Sequence, residues 1–182
     1  MITTLPHLTT RTVAMPVEFF AALQGAVNDS RDALAVDSVR DAGYRAWQAL
    51  FDAFAGWTDE RGELPPDRLP HARFVALASE FFAAAGWGAL VFTPLSDAVM
   101  ALDSDAWGEA GSGEGCGCIV STGVFAGFFG RLADAPISVL EVECSDAGDG
   151  RCRFLLGSVD VLAYVHEAMS RGIPYERAAV SA

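Results

Sequence analysis

The sequence predicts an α/β chain of the α+β type, with N-terminal helices packed on an antiparallel sheet of about four strands. Three observations lead there. Apolar residues recur at helical spacing through the first half. Short apolar runs punctuated by Gly, Pro, Asp and Ser fill the second half. The links between paired runs are hairpin-like, too short for the crossovers that parallel strands need.

The first helix is expected from Pro16, where "PVEFFAALQGAVND" puts proline at the first helical position and Glu18 in the first turn. A longer amphipathic helix spans Val36 to Ala55, with Val39, Tyr44, Trp47, Leu50, Phe51 and Phe54 on one side. The polar, proline-rich "GWTDERGELPPDRLP" reads as a surface loop. A third helix runs from His71 to Ala85, with Gly86 as its stop signal. "GALVFTPLSDAVMALDSDAW" is written as strand, turn and strand. "IVSTGVFAGFFGRLA" then forms a helix with Gly123, Ala126, Gly127 and Gly130. Glycine costs a helix roughly 0.5–1 kcal/mol relative to alanine, so their number predicts another backbone packed close against it. "PISVLEVEC" and "CRFLLGS" are strands joined by "SDAGDGR", and "VDVLAYVHEAMSRG" closes the chain as a helix. Residues 1–182 form one domain, with 15–85 helical and 86–182 carrying the sheet and the closing helix.

Composition narrows the function. The chain is 52% hydrophobic with a net charge of −12, so a nucleic-acid backbone or an anionic membrane surface would repel it. The most apolar stretch, "ASEFFAAAGWGALVFTPLSD", is interrupted by Glu80, two glycines and Pro94 before about 20 apolar residues accumulate. "MITTLPHLTTRTVAMP" lacks the basic and apolar regions of an export signal. The expectation is a cytoplasmic protein with reduced thiols.

In that compartment a sparse set of cysteines points to a metal or redox site more than to a disulfide frame. Cys118 starts the glycine-rich helix, Cys144 ends one strand and Cys152 begins the next, so a hairpin turn brings the last two together. A structural zinc site needs four ligands from thiolate, imidazole or carboxylate at about 2.0–2.3 Å. Cys116, Glu141 or Glu143 could supply the fourth. Against this stands the ordinary use of buried cysteine as a small hydrophobe.

The run from Cys118 through "IVSTGVFAGFFGRLADAPISVLEVECSDAGDGRCRF" resembles the vinyl-4-reductase domain family, whose signature is a Gly- and aromatic-rich helix, E-x-x-C, a Gly-containing turn and C-x-F. It covers residues 116 to 157; the earlier helices are similar only in general pattern to that family and to the related TRAPP trafficking subunits. The resemblance implies zinc held by Cys118, Glu141, Cys144 and Cys152, leaving Cys116 spare. Residues three apart in a regular strand face opposite ways, so Glu141 and Cys144 can share an ion only if the strand bends or bulges near Glu143. Glu143 is the fallback ligand. Four protein ligands leave no open position, so such a zinc braces the fold and activates nothing.

The resemblance also implies a domain enclosing a small hydrophobic or aromatic molecule, as sensor or carrier. Trp87, Phe92, Trp107, Phe125 and Phe129 are candidate cavity walls, although aromatic stripes at such spacing more often build core. His71 is the candidate polar contact, because a His and a Trp hold the ligand hydroxyl in the phenol-sensing relatives. Catalysis finds little in the sequence: "GSGEGCGC" lacks dinucleotide spacing, and no phosphate loop or hydride-transfer residues are present. Two other functions stand beside the sensor, a TRAPP-like assembly subunit and an accessory factor in tetrapyrrole synthesis. The large residues Trp47, Phe51, Phe54 and Trp57 exceed what one small sheet covers, so a homodimer or a partner protein is expected.

Overall fold

The computed structural model describes residues 19, 22–23, 25–27, 33–104, 117–133 and 135–182. Trp107, Cys116 and the side chain of Trp47 lie outside them. Residues 22–23 and 25–27 are helical, within the stretch expected to form the first helix. The described elements are helix α1 (Ala33–Asp59), a 3-10 turn (Pro66–Arg68), α2 (His71–Ala84), strands β1 (Leu90–Pro94) and β2 (Met100–Ser104), α3 (Ile119–Ala133), β3 (Ser138–Glu143), a second 3-10 turn (Ser145–Ala147), β4 (Cys152–Gly157), α4 (Val159–Ser170) and α5 (Tyr175–Val180).

Helix α1 continues to Asp59, past the expected end at Ala55, because Trp57 and Thr58 are buried and hold its last turn to the core. Helix α2 ends where the sequence puts a stop: Gly86 has φ of 87°, a conformation that costs glycine nothing and other residues much. Ser158 caps α4 by accepting a hydrogen bond from the Val161 amide at 3.3 Å. Helix α5 is an addition to the sequence reading. Its signal is modest, a proline at the capping position and Glu176 in the first turn.

The four strands form one sheet in the order β1-β2-β4-β3, every neighbouring pair antiparallel. Side-chain alternation divides it into two faces. Cys152, Phe154 and Leu156 of β4 and Leu102 of β2 point to the helical layer of α1, α2 and α3, whereas Leu155 and Ala101 point to α4 and α5. The larger core is aromatic. Phe54, Phe81, Phe82, Phe125, Phe128 and Phe154 are all buried, with ring centroids 5.1 Å apart for Phe82–Phe128 and for Phe125–Phe154 in edge-on geometry. Phe54 and Trp57, counted among residues in excess of one sheet, are covered instead by α2 and α3.

Helix α3 is the centre of the molecule, and its glycines do what their number predicts. A Cβ built on Gly123 would stand 2.1 Å from the Arg40 carbonyl oxygen, and one on Gly43 would stand 2.6 Å from that of Val120. Helices α1 and α3 therefore touch backbone to backbone.

On the opposite face, a charged network fastens α5 to the sheet. Arg153 donates two bonds to Asp103, at 2.5 and 2.7 Å, and a third to the Tyr175 hydroxyl at 3.0 Å. Tyr175 in turn donates to Glu143, which also accepts from Arg151. Arg151 and Arg153 together hold the Glu143 carboxyl below its ordinary range, Arg151 foremost. The Arg153 side chain is only 11% exposed, so removal of its acceptor leaves a nearly buried guanidinium short of partners. Asp103→Ala is expected to destabilise the fold by about 2 kcal/mol, measured as a lower denaturant midpoint with unchanged slope.

Candidate functional site

Strand β3 departs from regular register at the residue pair that matters. Glu141 stands opposite Phe154 and Glu143 opposite Arg153, so β3 advances two residues while β4 advances one. This is a bulge at Val142. It turns Glu143 toward Arg153 and α5, and it returns the next residue, Cys144, to the face that Glu141 occupies. The expected bend is present, and Glu143, the fallback ligand, is committed to the arginine and tyrosine network.

One ligand atom from each of Cys118, Glu141, Cys144 and Cys152 lies within 4.8 Å of every other, and this group of four could hold a metal ion. Three segments meet there: the entry to α3, the bulged end of β3 and the start of β4. The turn between Cys144 and Cys152 is held by Asp149, which accepts from the Cys144 amide at 2.8 Å, and by the left-handed Gly148. None of the three cysteines is disulfide-bonded. The Sγ atoms of Cys118 and Cys152 are 3.7 Å apart. That is far beyond an S–S bond of about 2.05 Å and close to the edge, about 3.8 Å, of a tetrahedron of thiolates around one zinc ion.

The carboxylate tests the fit independently. Glu141 Oε2 accepts from the Cys118 amide at 2.6 Å, whereas Oε1 is buried with no hydrogen-bond partner. A buried, unsatisfied carboxylate oxygen costs on the order of 1–3 kcal/mol or more, and a cation is the partner that relieves it. Burial pushes the Glu141 carboxyl above its usual range, with the Cys118 hydrogen bonds opposing. The Cys152 thiol is drawn down to about 6, first by its hydrogen bond with Cys118, against burial, and then by Ser145 Oγ at 3.3 Å. Gly117 completes the cradle, since a Cβ there would meet Glu141 Oε2 at 2.9 Å. The donor set of three thiols and one carboxylate fits a borderline-soft divalent ion.

A cleft of about 480 Å³ lies at the other end of α3. Its walls come from the start of α2 (His71, Phe74), the β1–β2 hairpin (Phe92, Val99, Met100), the end of α3 (Phe129, Leu132), Ile137 and the end of β4 (Leu156). Of the candidate ligand residues, His71, Phe92 and Phe129 line it. Phe125 is 1% exposed in the core between Phe82 and Phe154, and Trp87 stacks edge-on against Phe82 and Phe125 outside the cleft. Trp107 falls outside the described residues. The remaining lining, Asp67, Ser96 and Asp97 among it, escaped the sequence reading because these residues belong to turns whose neighbours are set only by tertiary packing.

Helices on one face of a four-stranded antiparallel sheet, with a cysteine and glutamate cluster at the mouth of the central helix, define the α+β fold shared by vinyl-4-reductase and TRAPP-like domains. The family model of the vinyl-4-reductase domain matches residues 107–158, the segment that holds all four clustered residues. The resemblance read from the glycine-rich helix and the cysteine hairpin is thus matched by that model. Among curated proteins nothing matches this chain. Solved structures share its fold, and three of them illustrate its range. The phenol-responsive sensory domain of the transcription activator PoxR, crystallised with phenol, is 12% identical over 83% of this chain and 78% of its own, with a TM-score of 0.61. A trafficking protein particle complex subunit 3 from Naegleria fowleri, covalently bound to palmitic acid, is 16% identical over 78% and 93%, with a TM-score of 0.57. A vinyl-4-reductase family protein from Methanocaldococcus jannaschii is 16% identical over 82% and 85%, with a TM-score of 0.53. Among the described residues, no helix is long and apolar enough to cross a membrane.

Proposed function

We propose that this chain is a zinc-braced binding domain that takes a small hydrophobic or aromatic molecule into the cleft beneath α2 and α3, as sensor or carrier. The single observation that carries the binding half is an apolar cleft of about 480 Å³ in a fold shared with a phenol-responsive sensory domain. Pockets of about 300–1,000 Å³ with a few polar groups are the size and kind that hold small ligands. Zinc is supported by the donor set and by the orphaned Glu141 Oε1. Cys118, Glu141, Cys144 and Cys152 would hold it, and what it supplies is a cross-link between α3 and the β3–β4 hairpin. With all four positions filled by protein, the ion has no site for substrate.

The cleft is tested by filling it. Ala133 lines the cleft and is exposed, so a larger side chain is accommodated without disturbing the core. Titration of the protein with a panel of phenols, fatty acids and tetrapyrroles is expected to identify a binder, and Ala133→Trp is expected to weaken it at least about tenfold. The stability of the free protein should stay within about 0.5 kcal/mol. Binding that is indifferent to Ala133→Trp would move the ligand elsewhere, and failure of every class would remove the sensor reading.

An assembly role is the second reading, favoured by the apolar residues that α1 leaves exposed, Leu34 at 74% and Tyr44 at 48%. Sedimentation of the purified chain distinguishes a monomer from the homodimer that this reading predicts.

A further inference from the structure

The cleft also carries information about which ligands it admits, an inference that rests on the binding reading above. Its interior is apolar, with Val99, Phe129 and Leu156 nearly buried. The polar side chains that reach its lining are Asp67, His71, Ser96 and Asp97. Asp67, His71 and Asp97 are exposed, so they stand on the solvent side, where the head group of a bound amphiphile emerges. Among the described residues no arginine lines the cleft, and the chain contains no lysine. Neither aspartate forms an ion pair among the described residues. Arg68 neighbours Asp67 in sequence but is not part of the lining. The described rim therefore presents two carboxylates with no arginine or lysine beside them, on a chain whose net charge is −12.

We infer that the cleft selects hydrophobic molecules by the charge of their head group: a protonated amine binds best, an uncharged hydroxyl less well, and a carboxylate worst. An apolar body held inside leaves its head among Asp67 and Asp97 wherever it emerges. There the hydroxyl or ammonium donates to carboxylate oxygens, whereas a carboxylate has nothing to accept from except Ser96 and His71. It meets two like charges instead. Across partly screened water, two such charges are enough for a discrimination of about tenfold.

Three ligands with one body separate the effects: phenylbutylamine, phenylbutanol and phenylbutyrate, titrated calorimetrically into the full chain at neutral pH and low salt. The amine is expected to bind at least about tenfold tighter than the carboxylate, with the alcohol between, and the gap should narrow in high salt as the screening length shortens. In the double variant Asp67→Asn/Asp97→Asn, both sites being exposed, the three affinities are expected to converge to within about twofold, with that for the alcohol unchanged. Should the alcohol bind while the carboxylate equals or exceeds the amine, the charge selection is wrong and the cleft as a binding site stands. Persistence of the full gap in the double variant likewise overturns the assignment to these aspartates. If none of the three binds, the binding reading fails and this inference goes with it.

Discussion

Replacing Cys152 with serine is expected to lower the melting temperature by more than about 10 °C, and a strong chelator should do the same to the unmodified chain. Cys152 opens β4, its Sγ lies 3.7 Å from that of Cys118, and Cys144 and Glu141 complete the group. If zinc joins these segments, its binding free energy is folding free energy, on the order of 10 kcal/mol in small zinc domains. A domain is stable by only about 5–15 kcal/mol, so loss of even half of that contribution loosens β3, β4 and the entry to α3 together. At about 2–4 °C per kcal/mol for a chain of this size, the shift is large. Without a metal, the same substitution merely polarises one small buried site and costs about 1–2 kcal/mol. The two cases differ in ways melting alone does not show. With zinc, elemental analysis gives one ion per chain, the buried thiols react with a disulfide reagent only after chelation, and returned zinc restores the melt. Substoichiometric metal together with a small cost for Cys152→Ser would remove the ion from the proposal.

How far the sequence reached depended on whether local or tertiary physics set each feature. The helices and hairpins are local: Gly86 ends α2 because only glycine is at ease at φ of 87°, and the two β1–β2 runs pair because the turn between them is short. The bulge was legible too. Glu141 and Cys144 have the wrong spacing for one strand face, so a shared ion required an extra residue between them, and the register shift at Val142 supplies it. Residues in the core and the cleft separated less cleanly. Phe125 and Phe129 sit one helical turn apart on α3, yet Phe125 faces Phe154 in the core while Phe129 reaches the cleft between Phe74 and Phe92. Nothing in their spacing tells them apart, because the difference lies in which strand end each meets. Helix α5 depends on partners as well: six residues are marginal alone, and Tyr175 is fixed by Arg153 and Glu143 from distant strands.

Gly123→Ala is expected to destabilise the domain by about 3 kcal/mol or more, the upper end of what overpacking costs, because the obstacle is backbone. The added methyl would lie 2.1 Å from the Arg40 carbonyl oxygen and 2.8 Å from the Tyr44 amide nitrogen, and neither can turn aside as a side chain would. Helix α1 has to move away from α3, which withdraws Phe54 from Phe128 in the aromatic core. Gly56→Ala serves as the control, since it lies in the same α1 with nothing within 4 Å of the new methyl. There alanine's helix preference should stabilise the chain by about 0.5–1 kcal/mol. Opposite signs for one substitution would isolate contact from propensity. Gly43→Ala clashes across the same interface with Val120, so once either alanine has parted the helices the second meets less resistance. The double variant is therefore expected to cost less than the sum of the singles. Strict additivity would mean that each helix yields locally. A cost for Gly123→Ala below about 0.5 kcal/mol would mean that α1 does not seat on α3 at this distance.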